Sequence, residues 1–315
     1  MSENQSASLV IAIVGPTASG KSSLAIEVAL KLNGEIINCD SVQVYRDIQV
    51  ATAKVPFSER RGIPHHLIDF VPPEVNYTAV EWSKEAATKI EEVESRGRVP
   101  LLVGGTGFYL RALRKPFFVS PKTNNETRKR LNEMRNSHGP EYLHRVLGRL
   151  DSKAAEQLYP RDWPRVQRAI EVYLQTGRSI FAQREERPTP HESSRRLRIL
   201  ALNPPRVELY DRINRRTEAH FQASLVDEVK ALLGRGVPVH SNALGAHGYR
   251  RVAEYLLGQR TLQSALEQTK LDVRHYAKRQ LTWFRHEAGV EWFNGFGDRP
   301  EVVKTVIQAL EPTPK

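Results

Sequence analysis

The chain has 315 residues, with 47 Lys and Arg against 36 Asp and Glu, a formal net charge of +11. At roughly 150 residues per domain this is two domains or one large one, long enough for a core without disulfide or metal staples. The single cysteine, Cys39, excludes a disulfide framework and any multi-cysteine metal site, and no apolar run reaches the roughly 20 residues that span a bilayer.

The first eight residues carry Glu3, no Arg and no apolar core, unlike a signal or transit peptide. Together with one cysteine this predicts a cytoplasmic protein without a membrane partner. The basic excess suits a polyanionic partner without requiring one.

Leu9–Val14 (LVIAIV) is apolar and β-rich, the pattern of a strand buried on both faces in a parallel sheet. It ends at Gly15, Pro16, Thr17, Ala18, Ser19, Gly20, Lys21 and Ser22, which match G-x-x-x-x-G-K-[ST]. A helix over 21–32 follows, with Leu24, Val28 and Leu32 on one face. Placed between strand and helix, this turn is a phosphate cradle: backbone N–H groups curl inward, the helix N-terminus adds positive potential, and Lys21 adds a point charge. Ser22 occupies the usual Mg²⁺-ligand position. A nucleotide triphosphate and an organic diphosphate both suit such a loop.

Glu35–Cys39 reads as a second strand ending at Asp40, His66–Phe70 as a further strand, 78–95 as a helix, and Val99–Val103 as a strand ending in Gly104-Gly105-Thr106-Gly107. Alternating strands and helices predict an α/β core with a parallel sheet. Ligands of such sheets sit outside the carboxyl ends of the strands, so the phosphate loop, Asp40 and Thr106 should face one crevice. There Asp40 could bind Mg²⁺ or act as a general base; equally, Asp followed by Ser is a common turn and cap pair.

From about residue 122 to 187 the periodicity is helical, over 125–136, 140–150, 153–158 and 164–176, and residues 119–190 carry 14 Lys and Arg against 9 Asp and Glu. Leu197–Leu202 is strand-like again, 262–285 is a long helix, and Val290–Phe293 is a last strand. The expected architecture is a P-loop NTPase-like α/β core from 1–119 and 196–315, with an all-α insertion over 120–195. A small-metabolite kinase would fit it with the insertion as lid. Yet the early Walker-B candidates, Asp40 and Asp69, follow no long apolar strand. A tRNA-binding chaperone switched by the P-loop is the non-enzyme alternative.

From residue 10 to 293 the chain resembles the tRNA dimethylallyltransferase family, in its bacterial form. The resemblance rests on the 15–22 loop, Asp40-Ser-Val-Gln-Val-Tyr45 with Thr52-Ala-Lys54, and Pro64-His-His-Leu-Ile-Asp69. It continues through Leu101-Leu-Val-Gly-Gly-Thr106, Arg165-Val-Gln-Arg-Ala-Ile-Glu171, Gly248-Tyr-Arg250 and Lys278-Arg-Gln-Leu-Thr-Trp283. The family moves a dimethylallyl group from its diphosphate to the N6 amine of the adenosine 3′ of the anticodon, in tRNAs reading codons that begin with U. The resemblance implies Mg²⁺ as cofactor, a diphosphate-binding P-loop, Asp40 as general base and Thr106 near the reacting centre. It also implies a grip on the tRNA anticodon arm through Asp40, Ser41, Val42, Gln43, Thr106, Arg128, Pro164, Arg165, Val166, Gln167 and Arg168; a monomer is the default expectation. Arg212, Arg216 and Lys278 match segments that contact tRNA or diphosphate. The sequence departs from the family at His247, where an apolar residue is usual, and at Arg251, where an acid or amide is usual.

The remaining basic residues suit RNA: Lys270, Arg274 and Lys278 share a helix face, and Arg195, Arg196 and Arg198 cluster beyond the insertion. His65-His66 reads as structural or RNA-contacting rather than metal-binding, and the four tryptophans read as core.

Overall fold

The computed structural model describes residues 9–117, 121, 124–183, 189–191 and 196–311. The chain divides into two compact units, one formed by 1–114 and 191–315 and the other by 115–190. Each boundary falls five residues before the 119/120 and 195/196 expected from the sequence.

In the larger unit, β1 (Val10–Val14) is buried throughout and leads through the glycine loop into α1 (Lys21–Leu32), which Asn33 ends in a left-handed turn. Then come β2 (Gly34–Asn38), β3 (His65–His66), α2 (Ala79–Ser95), β4 (Val99–Gly104) and α3 (Gly107–Arg114). A capping box starts α2: the Glu81 N–H donates to Thr78 Oγ1 at 3.2 Å, and the Thr78 N–H to Glu81 Oε2 at 2.8 Å. The smaller unit holds α4 (Asn125–His138), α5 (Tyr142–Leu150), α6 (Ser152–Glu156), α7 (Trp163–Thr176) and α8 (Ile180–Gln183). The chain then returns to the larger unit with β5 (Leu197–Asn203), α9 (Arg206–Gln222), α10 (Leu225–Gly234), α11 (Tyr249–Leu256), α12 (Leu262–Arg285), β6 (Val290–Asn294) and α13 (Pro300–Leu310).

Among the described residues the strands form one parallel sheet in the order β3-β2-β4-β1-β5-β6. With a glycine-rich loop leaving its β1 strand, this is a P-loop NTPase-like core. Both faces of β1 must be covered, which explains its unbroken apolar run. Leu24, Val28, Val302 and Val306 pack with Ile11 and Ile13 in one cluster. The smaller unit closes its own core from Leu143, Leu147, Val166 and Ile170.

The strand expected over 66–70 stops at His66. Leu67 and Asp69 adopt φ of +56° and +55°, so extension breaks, and the Asp69, Phe70 and Val71 N–H groups turn to the carbonyls of Gln43 and Val44. Both histidines have partners in the fold: His65 Nδ1 meets the Ile63 carbonyl and His66 Nε2 the Glu35 carboxylate. Trp82 is buried in the core, donating from Nε1 to the Asn38 carbonyl at 2.8 Å. Trp163 departs from the core expectation, lying 37% exposed under the Arg135 guanidinium. No helix among the described residues is long and apolar enough to cross a membrane.

Candidate active site

The loop from Gly15 to Ser22 curls tightly because Ala18 and Gly20 both take left-handed backbone angles, φ +64° and +82°. A Cβ on Gly20 would stand 2.7 Å from the Asp298 nitrogen, so only glycine lets the loop approach the segment after β6. Lys21 lies along the loop, its ammonium donating to the Pro16 carbonyl at 2.7 Å. Burial pushes its pKa down to about 8, against the pull of Asp40 and with the Arg216 charge adding to the depression. Arg216 reaches in from α9 and donates to Thr17 Oγ1 at 2.6 Å; burial lowers its pKa too, with Asp40 opposing. Ser19 is fully buried, and its hydroxyl has no partner among the described residues.

Asp40 lies two residues beyond β2, in an Asx-type turn. Its Oδ1 accepts from the Val42 N–H at 2.9 Å and the Gln43 N–H at 3.4 Å, leaving Oδ2 without a protein donor among the described residues. Thr106 stands opposite: its Oγ1 accepts from the Ser41 N–H at 3.0 Å and lies 3.3 Å from Ser41 Oγ. The two strand ends meet so closely that a Cβ on Gly104 would fall 2.0 Å from the Cys39 carbonyl oxygen. Cys39 itself is buried, and burial first, then the Asp40 charge, raises its thiol pKa far from any reactive range.

Two cavities open at these strand ends. One, about 170 Å³, is lined by the loop from Thr17 to Ser23 together with Asn38, Asp40 and Gln280. The other, about 610 Å³, is lined by Asp40, Thr106, Tyr109, His220, His247 and Tyr276 among others. Thr17, Asp40, Thr52, Ala53 and Arg216 belong to both walls. The phosphate loop, Asp40 and Thr106 therefore share one crevice, the placement expected of residues at strand carboxyl ends.

The donors facing the smaller cavity suit Mg²⁺. Ser22 and Asp40 offer hard oxygens, and the single carboxylate fits an ion that takes much of its shell from phosphate oxygens and water.

Gln280 was not among the site residues expected from sequence. Buried on α12, it accepts from the Thr17 N–H at 2.8 Å and donates to the Gly105 carbonyl at 2.9 Å, tying the phosphate loop to the Gly-Gly-Thr turn. Its signal was a polar residue spaced with the buried Val273, Ala277 and Phe284 on one helix face.

The basic residues divide. Arg216 is in the crevice, whereas Arg212 is engaged with Asp298 at 2.7 Å. Lys278 is exposed on α12 near Arg111 and Trp283. Lys270 does not join a free cationic face: it pairs with Glu218 and Glu267. Arg196 and Arg198 pair with Glu94 and Glu291, and Arg195 lies outside the described residues.

In the smaller unit, Arg128 and Arg168 both grip the buried Glu171, at 2.7 and 3.1 Å, while Arg165 is 73% exposed and pairs with Asp162 at 3.1 Å. Val166 is buried in that unit's core and Gln167 donates to the Arg128 carbonyl. These side chains help hold the helix in its unit, while Pro164 and Arg165 remain on the surface.

The two departures have local accommodation. Arg251 bonds Asp272 at 2.7 Å and Glu254 at 2.9 Å. The His247 ring lies 4.9 Å from that of Tyr276 in the larger cavity, and burial, with Arg279 nearby, lowers its pKa to about 4.

A sequence profile described as IPP transferase matches residues 43–287, and one described as isopentenyl transferase matches 8–69. The chain is 42% identical over 303 residues to a tRNA dimethylallyltransferase of Koribacter versatilis, covering 96% of this chain and 98% of that one. It is 43% identical over 306 residues to that of Solibacter usitatus, covering 96% and 97%. The crystal structure of a tRNA isopentenylpyrophosphate transferase from Bacillus halodurans superposes with a TM-score of 0.70 at 37% identity, covering 96% and 95%. A eukaryotic dimethylallyltransferase acting on tRNA gives 0.72 at 28% identity, covering 91% and 74%.

Proposed function

The chain belongs to the IPP transferase family, and from that membership we propose that it transfers a dimethylallyl group from dimethylallyl diphosphate to tRNA. The acceptor is the exocyclic N6 amine of the adenosine 3′ of the anticodon, in tRNAs reading codons that begin with U, and diphosphate is released. One observation carries the mechanistic part: Asp40 lies on the shared wall of the phosphate-loop cavity and the larger cavity. A base there meets the amine on one side and the allylic diphosphate on the other.

The allylic C–O bond breaks as the N6–C bond forms, and charge builds on the departing diphosphate. Loop residues 17–22, Lys21 among them, and Arg216 line the smaller cavity, where their positive charge and N–H groups would stabilise that charge. Ser22 would hold Mg²⁺, which when bound adds charge neutralisation on the diphosphate. Asp40 Oδ1 is fixed by two backbone N–H groups, leaving Oδ2 to accept the amine proton. Thr106 is held by Ser41 beside it and orients the acceptor. The acceptor base must leave its stack to reach the larger cavity.

The test is mass analysis of tRNA nucleosides after incubation with dimethylallyl diphosphate and Mg²⁺. Prenylated adenosine is expected with the wild-type chain. ATP turnover without tRNA, and no modified nucleoside, would overturn the reading.

A further inference from the structure

The loop beyond the Asp40 turn is held from outside by a carboxylate. Glu228, on α10, accepts from the Gln49 N–H through Oε1 at 2.7 Å and from the Val50 N–H through Oε2 at 3.1 Å. The buried Tyr249 phenol donates to the same Oε1 at 2.5 Å and accepts from the Ala51 N–H at 3.3 Å. Two side chains far along the sequence thus satisfy three successive backbone N–H groups.

The residues that follow carry this anchorage inward. Thr52 and Ala53 line both cavities, and their carbonyls accept from Gln43 Nε2 at 3.0 and 3.2 Å. The Gln43 N–H in turn donates to Asp40 Oδ1 at 3.4 Å. A continuous line of hydrogen bonds and short backbone runs leads from Glu228 to the candidate base. Glu228 itself touches neither cavity.

We infer that Glu228 is a positioning residue, setting the orientation of the Asp40 carboxylate and the 51–53 wall of the acceptor cavity through the 49–53 loop and Gln43. The inference rests on the transferase reading above. A carboxylate suits the task because it has acceptor capacity on both oxygens, as two backbone N–H groups and a phenol require. The phenol remains a donor at neutral pH, since burial and the neighbouring Glu228 raise its pKa. Loss of the carboxylate leaves those N–H groups near the surface, where water can take them, so the loop loosens while the core stays folded.

The experiment measures steady-state transfer from labelled dimethylallyl diphosphate to a tRNA transcript. It is paired with calorimetric binding of the diphosphate alone, for wild type, Glu228→Ala, Glu228→Gln and Tyr249→Phe. Misplacing a reacting group by about an ångström costs roughly a hundredfold, so Glu228→Ala should lower kcat/KM for tRNA about ten- to a hundredfold. Diphosphate affinity should fall less than tRNA turnover: Asp40, Thr52 and Ala53 border that cavity too, but the phosphate loop is anchored separately through Gln280 and Arg216. Glu228→Gln keeps one acceptor oxygen for the Gln49 N–H and the phenol but sets an amide NH2 against the Val50 N–H, so it should recover only part of the activity; Tyr249→Phe should lose less than the alanine variant, and both stand in if that variant does not fold. Wild-type kinetics in Glu228→Ala, or an equal loss in diphosphate affinity and tRNA turnover with no rescue by glutamine, would overturn the positioning role. A wild-type chain that transfers nothing would instead overturn the transferase reading, and this inference with it.

Discussion

Thr17 and Gln280 stand 263 positions apart, joined by a 2.8 Å hydrogen bond from the Thr17 N–H to Gln280 Oε1. That bond takes one N–H of the phosphate loop into the structure, and the Gln280 amide closes the span at the Gly105 carbonyl. Replacing Gln280 by Ala leaves a buried donor and acceptor unpaired and a void between the two turns. The expected cost is about 2–4 kcal/mol of stability. Thermal unfolding and diphosphate calorimetry check this: both the Tm and the affinity should fall, whereas Lys278→Ala, on the exposed side of α12, should move neither.

Asp40→Asn keeps an oxygen for the Val42 and Gln43 N–H groups and so preserves the turn, but removes the proton acceptor. Transfer should fall by roughly two to four orders of magnitude, the range for loss of a general base, with tRNA binding nearly unchanged. Single-turnover rates beside filter binding would decide it. Near-normal turnover rules out Asp40 as base.

Lys21 gives a pH signature. Its pKa lies at about 8, so the ammonium is charged below that pH and progressively neutral above it. Anion binding favours the charged form. The Kd for dimethylallyl diphosphate should therefore be flat just below pH 8 and rise above it, by up to about tenfold per pH unit. Lys21→Arg keeps its charge through this range and should remove the rise. Calorimetry from neutral to alkaline pH reads it, and a Kd independent of pH in the wild type would contradict the role of Lys21.

The arginines of α7 should separate cleanly. Arg168 pairs with the buried Glu171, so Arg168→Ala should destabilise the smaller unit by about 1–3 kcal/mol, Arg128 still holding part of the carboxylate. Arg165 is exposed, and its pair with Asp162 contributes little to folding. Arg165→Ala should leave the Tm in place and lower the salt slope of tRNA binding by about one unit, the signature of one lost phosphate contact. An unchanged salt slope would leave Arg165 without a role in tRNA binding.

Local pattern was enough for much of this protein. The helices at Lys21–Leu32 and Leu262–Arg285 begin and end where periodicity put them, because an apolar stripe and its terminal turns are properties of adjacent residues. The phosphate loop was legible for the same reason: its function lies in the backbone of eight consecutive residues. Asp40 and Thr106 could be brought to one crevice in advance, since parallel strands deliver their carboxyl ends to one edge. Charge patterning was a poorer guide. A run of arginines does not reveal its partners, and only folding showed Arg128 and Arg168 committed to Glu171 while Arg165 stays at the surface. Gln280 and Glu228 are further cases of the same kind. Each acts on backbone groups more than 170 residues away, through contacts that exist only once α10 and α12 have packed beside the strand-end loops. The sequence by itself determined the loop, the strand ends and the chemistry class; tertiary packing decided which polar side chains serve the crevice and which serve the fold, because that depends on the partner each finds across the chain.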